Sequence, residues 1–229
     1  MPDQHMLSDR DRRDIQGLVL YGTTCPLLRY HLVHVSDAVG GRRFLRALVD
    51  HAGPLRISTA GLRDNDAKSE SLVYAGVTAR GLDALAVPQV TIGSFPAEFR
   101  DGAKTRAASL GDVGSSGPEH WLFDPDEVHL AVLLYARHQH SLDALSTALR
   151  ALAASHQCRV VKELDGASLP DFAHPSGQRV TRPVHFGYSD GISQPEVLPA
   201  PDHAPGAPPP VPVSAMPVVM QMTAKAISV

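Results

Sequence analysis

The stretch from residue 128 to residue 164 reads VHLAVLLYARHQHSLDALSTALRALAASHQCRVVKEL, and it predicts a strand, a helix and a second strand in succession. Val128 to Tyr135 is almost continuously apolar, as in a strand that is covered on both faces. Ser141 can then cap a helix. Four leucines recur at helical spacing along that helix, namely Leu142, Leu145, Leu149 and Leu152. Cys158 to Leu164 is typical of another short strand.

The first part of the chain has the same strand–helix–strand order. Leu27 to Val35 (LLRYHLVHV) and Ser71 to Val77 (SLVYAGV) predict strands. Between them, Ser36 can cap a helix. The apolar face of that helix comprises Val39, Phe44, Leu45, Leu48 and Val49. A shorter apolar run, Ile15 to Leu20 (IQGLVL), predicts a further strand.

An irregular segment separates the two halves of this pattern. It predicts a helix from Thr78 to Leu85, a second helix from Pro96 to Leu110, and a loop that contains GSSGPEHW. Two strand–helix–strand units with an insertion between them favour a ferredoxin-like α+β fold. In this fold an antiparallel sheet carries its helices on one face.

Composition narrows the possible functions. The 229 residues are 43% hydrophobic and 20% charged, which is ordinary for a soluble globular domain. A net charge of -3 without a basic stripe argues against nucleic-acid binding. The two cysteines, Cys25 and Cys158, form no disulfide framework and suit a reducing, cytoplasmic compartment. We expect no secretion signal and no membrane span, because no apolar window is long enough.

Three regions are predicted along the chain. Residues 1–14 are polar and are expected to form a disordered lead. Residues 15–197 form the predicted ferredoxin-like domain. Residues 198–229 form a tail in which eight of the nineteen prolines lie between Pro199 and Pro217, so a helix or a central strand is not expected there.

The stretch HFGYSDGISQPE, from His185 to Glu196, places a single acid between two glycines. Glycines on both sides of Asp190 allow tight backbone conformations close to a ligand, and a carboxylate held there can exchange a proton with a bound molecule. The alternative is a plain turn, in which Asp190 bonds its own backbone and Ser193 acts as a local cap. Spacing alone leaves both readings open.

The stretch resembles the distal-haem signature of the dye-decolourising (DyP-type) haem peroxidases, Gly-x-x-Asp-Gly, here at residues 187–191. Other segments are similar to the amino-terminal half of that family, in the same order. They are IQGLVL, GGRRFLRAL, VYAGVTARGLDALAVP, SFPAEFRDGAKTRAASLGD and GPEHWLF. The resemblance covers about Asp14 to Val197, which is nearly all of the predicted structured part.

The resemblance implies a haem b enzyme that uses hydrogen peroxide to oxidise dyes, phenolics or other small electron donors. It implies that Asp190 moves a proton between the two peroxide oxygens. Four residues are expected to line the porphyrin edge: Gly191, Ile192, Ser193 and Gln194. The family takes its proximal histidine from a carboxy-terminal half that this sequence lacks, since similarity ends near Pro210. We therefore expect a truncated chain with weak haem binding and little activity.

The twelve histidines do not supply an evident substitute ligand. His138 and His140 form a pair without a third ligand at metal-like spacing. His31 and His34 are predicted on opposite faces of a strand, and His129 within an apolar strand, so no metal ligand is assigned. Two other functions stay open: a non-catalytic ferredoxin-like module for interaction or homo-oligomerisation, and, ranked last, a haem-free enzyme on the same sheet.

Overall fold

The centre of the molecule is a four-stranded antiparallel sheet. The computed structural model describes residues 8–20, 23, 25–61, 69–167, 169–173, 177, 179–180, 197–198 and 211–212. Four strands form the sheet: β1 (Leu27–Val35), β2 (Ser71–Val77), β3 (Leu130–Ala136) and β4 (Cys158–Ala167). Their order is β2-β3-β1-β4, and every neighbouring pair is antiparallel. The predicted ferredoxin-like α+β fold is therefore confirmed.

Among the described residues, seven helices precede the sheet or connect its strands. They are α1 (Asp9–Asp14), α2 (Gly17–Leu20), α3 (Ala38–Val49), α4 (Ala79–Ala84), α5 (Gln89–Gly93), α6 (Ala97–Leu110) and α7 (Gln139–Ser155). Helix α3 connects β1 to β2, and α7 connects β3 to β4. Three short 3-10 turns follow α6, at Gly114–Ser116, Pro118–His120 and Pro125–Glu127. None of the helices among the described residues is both long and apolar enough to cross a membrane.

Two pairs of very short strands lie further along the chain. Phe172–Ala173 (β5) pairs antiparallel with Arg179–Val180 (β6), and Val197–Leu198 (β7) pairs parallel with Val211–Pro212 (β8). The boundaries expected for the three regions of the chain stay predictions. Within the expected disordered lead, however, Ser8 and Asp11 form a reciprocal capping box that starts helix α1.

The core lies between the sheet and helices α3 and α7. Alternate residues of β3 face these helices and are fully buried, namely Leu130, Val132, Leu134 and Ala136. Helix α7 contributes Leu142, Leu145, Leu149 and Ala153, and α3 contributes Phe44, Leu45 and Leu48. Fully burying one such leucine contributes about 1.5–3 kcal/mol relative to leaving it exposed. Apolar packing thus explains why the periodic segments of the sequence form these elements.

Strand β4 contains a bulge at Val161. Val160 pairs with Val33 and Lys162 pairs with Leu32, so one residue of β4 is left over between them. A bulge of this kind reverses which residues of a strand face each side of the sheet. Cys158 and Val160 therefore face the helices before the bulge, whereas the odd-numbered residues face them after it.

The helix starts differ from the predicted caps because of local polar contacts. Asp37, rather than Ser36, caps α3, since its carboxylate accepts a hydrogen bond from the Gly40 N–H at 2.7 Å. Val39 lies about 140° around α3 from Phe44, on its outer face, and is 47% exposed. Helix α7 begins at Gln139 rather than after Ser141, whose hydroxyl donates instead to Glu70 at 2.7 Å.

The strand predicted for Ile15 to Leu20 is wrong. Residues 17–20 form helix α2, and Gln16 makes only an isolated bridge with Thr59. The Gln16 side-chain amide donates to the Ala75 carbonyl at 2.8 Å and accepts from the Ala75 N–H at 2.7 Å. Ser58 bonds Val73 of the same strand through its N–H and its hydroxyl, so two separate residues pair with the edge of β2 where a strand was expected.

Candidate functional site

The residues predicted to form the haem site lie outside the described part of the chain. Asp190 lies outside the described residues, and so do the four expected porphyrin neighbours, Gly191, Ile192, Ser193 and Gln194. The same holds for His185, and for Phe186 and Tyr188 of the same stretch. Their roles stay predictions.

The described residues contain a buried polar cluster centred on His31. His31 lies in β1, on the face covered by α7, and its side chain is fully buried. Its Nε2 atom lies 2.6 Å from the Ser146 hydroxyl on α7 and 3.4 Å from a carboxylate oxygen of Glu163 on β4. Arg150 donates to Ser146 at 3.2 Å and to Glu163 at 2.7 Å. Three elements therefore meet at one imidazole.

The other ring nitrogen of His31 has no comparable contact. Within the described part of the chain, Nδ1 is buried and has no hydrogen-bond partner. A neutral imidazole carries an N–H on one ring nitrogen and a lone pair on the other. Whichever of these groups lies on Nδ1 therefore lacks a partner here. Because an orphaned buried N–H is rarer than an orphaned acceptor, we infer that Nε2 carries the proton and that Nδ1 carries the lone pair.

Arg29 and two carboxylates extend the cluster towards the start of α7. Arg29, two residues before His31 on the same face, donates to Asp165 on β4 and to Asp143 on α7, each at 3.0 Å. Hydrogen bonding to Asp165 raises the pKa of Arg29 despite burial, and Arg29 in turn lowers the pKa of Asp165. Burial lowers the pKa of His31 to about 4, although the Glu163 carboxylate opposes this shift. The imidazole is therefore neutral near pH 7.

The arrangement does not support nucleophilic catalysis. In a catalytic triad the carboxylate orients the histidine through one nitrogen while the serine uses the other. Here Ser146 and Glu163 both approach Nε2. Ser146 is also fully buried and so is closed to a substrate. The cluster therefore joins helix α7 to the sheet.

Sequence reasoning missed this cluster, although part of the signal was present. Arg29 and His31 alternate along β1, and Asp143, Ser146 and Arg150 recur at helical spacing along α7. The missing information was the bulge at Val161, which brings Glu163 and Asp165 to the helix-facing side. A single sequence does not reveal a bulge of this kind.

A second pair of histidines lies at the far end of β1. The rings of His34 and His129 are 4.3 Å apart. His129 accepts a hydrogen bond at Nδ1 from the Val35 N–H, so its neutral ring carries its proton on Nε2. His34 Nδ1 lies 3.1 Å from the Glu127 carbonyl, which can only accept, so the free lone pair of His34 is on Nε2. Of this pair, His34 alone could ligate a metal without losing a hydrogen bond.

The other histidines considered from the sequence lie on β1, before β3 and at the start of α7. His31 and His34 lie on opposite faces of β1, as expected. His129 precedes β3 rather than lying within it, and is half-buried. His138 and His140 are exposed, with stacked rings 5.5 Å apart. Among the residues that the structure describes, no three His, Cys, Asp or Glu side chains are grouped to hold a metal ion.

The sheet face opposite the helices is rich in apolar and tyrosine side chains. We call it the second sheet face, comprising Leu28, Tyr30, Leu72, Tyr74, Leu133 and Tyr135. Tyr74 and Tyr135 meet edge to face, with ring centroids 5.9 Å apart. Burial, and then the neighbouring Tyr30, raise the pKa of Tyr135. Leu72 and Tyr74 are buried, and the other four residues are half-buried.

The same fold occurs in solved dye-decolourising peroxidases. A dye-decolorizing peroxidase in complex with 2,6-dimethoxyphenol matches with a TM-score of 0.67 at 25% identity, over 88% of this chain and 42% of that one. A second structure of DyP matches with a TM-score of 0.68 at 21% identity, over 87% of this chain and 41% of that one. The peroxidase from Auricularia auricula-judae matches with a TM-score of 0.65 at 19% identity, over 86% of this chain and 41% of that one. No protein-family model and no curated protein matches the sequence.

These matches establish the fold of the molecule. The ferredoxin-like sheet with its helices is similar to the matched part of the DyP-type peroxidases, and the resemblance stated from the sequence is confirmed at the level of the fold. The chain spans about two fifths of the length of the peroxidases that it matches. Activity, substrates and partners of a whole peroxidase are therefore proposals for this chain.

Proposed function

We propose that this chain is the part of a DyP-type haem peroxidase that supplies the distal acid–base group. The observation that carries the proposal is the agreement of two independent features. The chain has a DyP-like fold over 88% of its length, and the Gly-x-x-Asp-Gly motif stands at residues 187–191. Neither feature alone distinguishes a peroxidase from a ferredoxin-like module.

Asp190 is the proposed acid–base residue. As a carboxylate it accepts the proton from one oxygen of bound hydrogen peroxide, and as a carboxylic acid it donates that proton to the other oxygen, which leaves as water. A group with this role must be ionised before peroxide binds and must donate readily afterwards. Haem b, when bound, supplies the redox chemistry, and dyes or phenolics are the proposed reductants.

Gly191, Ile192, Ser193 and Gln194 are proposed to line the porphyrin edge. The residues of this chain fit the role of axial iron ligand less well than they fit the acid–base role. In the described part of the chain, Nε2 of His31 is engaged by Ser146, and the lone pair of His129 is engaged by Val35. We therefore propose that the isolated chain binds haem weakly and that the proximal ligand belongs to a further segment or subunit.

A haem titration with peroxide kinetics tests this proposal. Purified chain is titrated with haem, and the Soret band reports the affinity. At saturating concentrations of the chain, peroxide consumption by haem is compared with that of free haem. We expect a shallow titration and a modest acceleration. Asp190→Asn should bind haem equally well but lose the acceleration, because an amide cannot take up and return the peroxide proton.

Asp101→Asn is the matched control, because Asp101 is an exposed acid on α6, outside the motif. It should keep the acceleration. Equal rates for the Asp190→Asn and unsubstituted chains would refute the acid–base role. A sharp, stoichiometric Soret band would instead refute the weak-binding proposal. His34→Gln would then test whether the free Nε2 of His34 is the ligand.

The second sheet face supports a second candidate function, a non-catalytic interaction module. Leu133 and Tyr135 are only half-buried at the centre of this face. Exposed apolar sheet surface favours self-association. Under this candidate, sedimentation velocity would show a haem-free oligomer, and Leu133→Lys would convert it to a monomer. A monomer at micromolar concentration before substitution would exclude this candidate.

A further inference from the structure

Helix α7 is attached to the sheet by a polar cluster in addition to its leucines. Its Ser146 contacts His31 of β1, and its Arg150 pairs with Glu163 of β4. One turn earlier, Asp143 pairs with Arg29 of β1. These contacts join side chains only. The backbone of β1, by contrast, is paired on both sides, with β3 and with β4.

Only a neutral His31 suits this position. A second proton would place an N–H on Nδ1, which is fully buried and has no hydrogen-bond partner among the described residues. The Arg29 carbonyl lies near the ring and favours its charged form weakly, but it does not complete a hydrogen bond to Nδ1. A buried donor without a partner costs about 1–3 kcal/mol.

The surrounding charges do not compensate for that proton. Charged groups face the ring from each of three elements, namely Arg29 on β1, Glu163 and Asp165 on β4, and Asp143 and Arg150 on α7. The fourth neighbour, β3, presents the apolar Val132. Arg29 and Arg150 oppose protonation, and both carboxylates on β4 are already paired with arginines.

The sign of the pH effect follows from the burial of the ring. Burial lowers the pKa of His31 to about 4 from an ordinary value of 6.5. A histidine whose pKa is lower in the closed state stabilises that state above pH 6.5. This contribution is lost progressively as the pH falls from 6.5 towards 4. A protonated ring therefore favours any state in which water reaches it.

We propose that His31 is an acid-sensitive lock, in which protonation of the ring releases helix α7 from strands β1 and β4. The strand cannot carry the ring to water, because both of its neighbours hold its backbone. The helix can move, because only side chains join it to the sheet, the polar ones around the ring and the apolar leucines beside them. Acid thus exposes the face of α7 that carries Leu142, Leu145 and Leu149.

Hydrogen exchange of the full chain tests the lock. Exchange of the α7 amides is measured at pH 7.5 and at pH 5.0, each corrected for the intrinsic pH dependence of exchange. A shift of the His31 pKa from 6.5 to about 4 predicts that opening of α7 becomes about 30-fold more frequent at pH 5.0. Helix α3 lies on the same sheet and carries none of the cluster, so its amides should change much less.

Two variants complete the design. His31→Gln keeps a donor for Ser146 but cannot take up a proton, so opening of its α7 should be independent of pH. His140→Gln removes an exposed imidazole from the same helix, and it should respond as the unsubstituted chain does. Equal acceleration of α3 and α7 in the unsubstituted chain, or no acceleration of α7, would overturn the lock. That comparison needs no variant, so it holds even if His31→Gln does not fold.

Discussion

Substitution of Gly81 tests how helix α4 is held against the sheet. A Cβ atom built on Gly81 would lie 1.9 Å from the His129 carbonyl oxygen and 2.8 Å from its carbon. Real Cβ atoms essentially never come within 3.0 Å of such atoms. The Gly81→Ala variant must therefore separate the two backbone segments by about 1.1 Å.

The contacts around Gly81 determine how much free energy of unfolding the Gly81→Ala variant loses. Separation weakens the bonds from Thr78 to the Val128 and His129 carbonyls, at 2.8 and 3.1 Å. Each bond contributes about 1 kcal/mol, and overpacking adds about 1–3 kcal/mol. Alanine returns about 1 kcal/mol through its higher helix propensity. We expect Gly81→Ala to lower the free energy of unfolding by about 3 kcal/mol.

Urea denaturation followed by circular dichroism measures this change. Gly76→Ala is the matched control, because a Cβ on Gly76 would meet nothing within 4 Å. Alanine should be neutral or stabilise that strand position by up to about 1 kcal/mol. A Gly81→Ala variant as stable as the control would refute the close approach of α4 to His129.

Three further results are expected. Leu149→Ala, at a fully buried position of α7, should lower the free energy of unfolding by about 2–5 kcal/mol in urea denaturation; a loss below 1 kcal/mol would contradict the core described here. Between pH 7.5 and pH 5.0 the unsubstituted chain should lose about 2 kcal/mol of stability through His31. Chemical denaturation at both pH values should show that His31→Gln lacks this component. Burial raises the pKa of Cys158 from 9.0 to about 11, so mass spectrometry should find it alkylated about 100-fold more slowly than a free cysteine; an equal rate would show that the thiol is accessible.

Apolar periodicity predicted the sheet well because burial decides it. The bounds of β1 and β2 agree with the apolar runs Leu27–Val35 and Ser71–Val77. The same reasoning failed at residues 15–20, where the Gln16 side chain alone reaches β2 and bonds Ala75, 59 residues further along the chain. It also misplaced the start of α7, since the Ser141 hydroxyl bonds Glu70 instead of capping the helix. Contacts distant in sequence carry no local signal.

Of the two candidate sites, only the motif around Asp190 could be predicted from the sequence. The motif around Asp190 is local, so it could be read directly and compared with a known family. The His31 cluster combines three elements, and a single bulged residue of β4 decides which carboxylates face the helix. No local pattern predicts that bulge, so the cluster could be found only in the folded chain.

The measurement that tests the central proposal most directly is peroxide consumption by haem at saturating concentrations of the chain. It compares the unsubstituted protein with Asp190→Asn and Asp101→Asn. We predict that the unsubstituted chain and Asp101→Asn exceed the rate of free haem, whereas Asp190→Asn falls to it. An Asp190→Asn variant as fast as the unsubstituted chain would contradict the assignment of Asp190 as the distal acid–base residue.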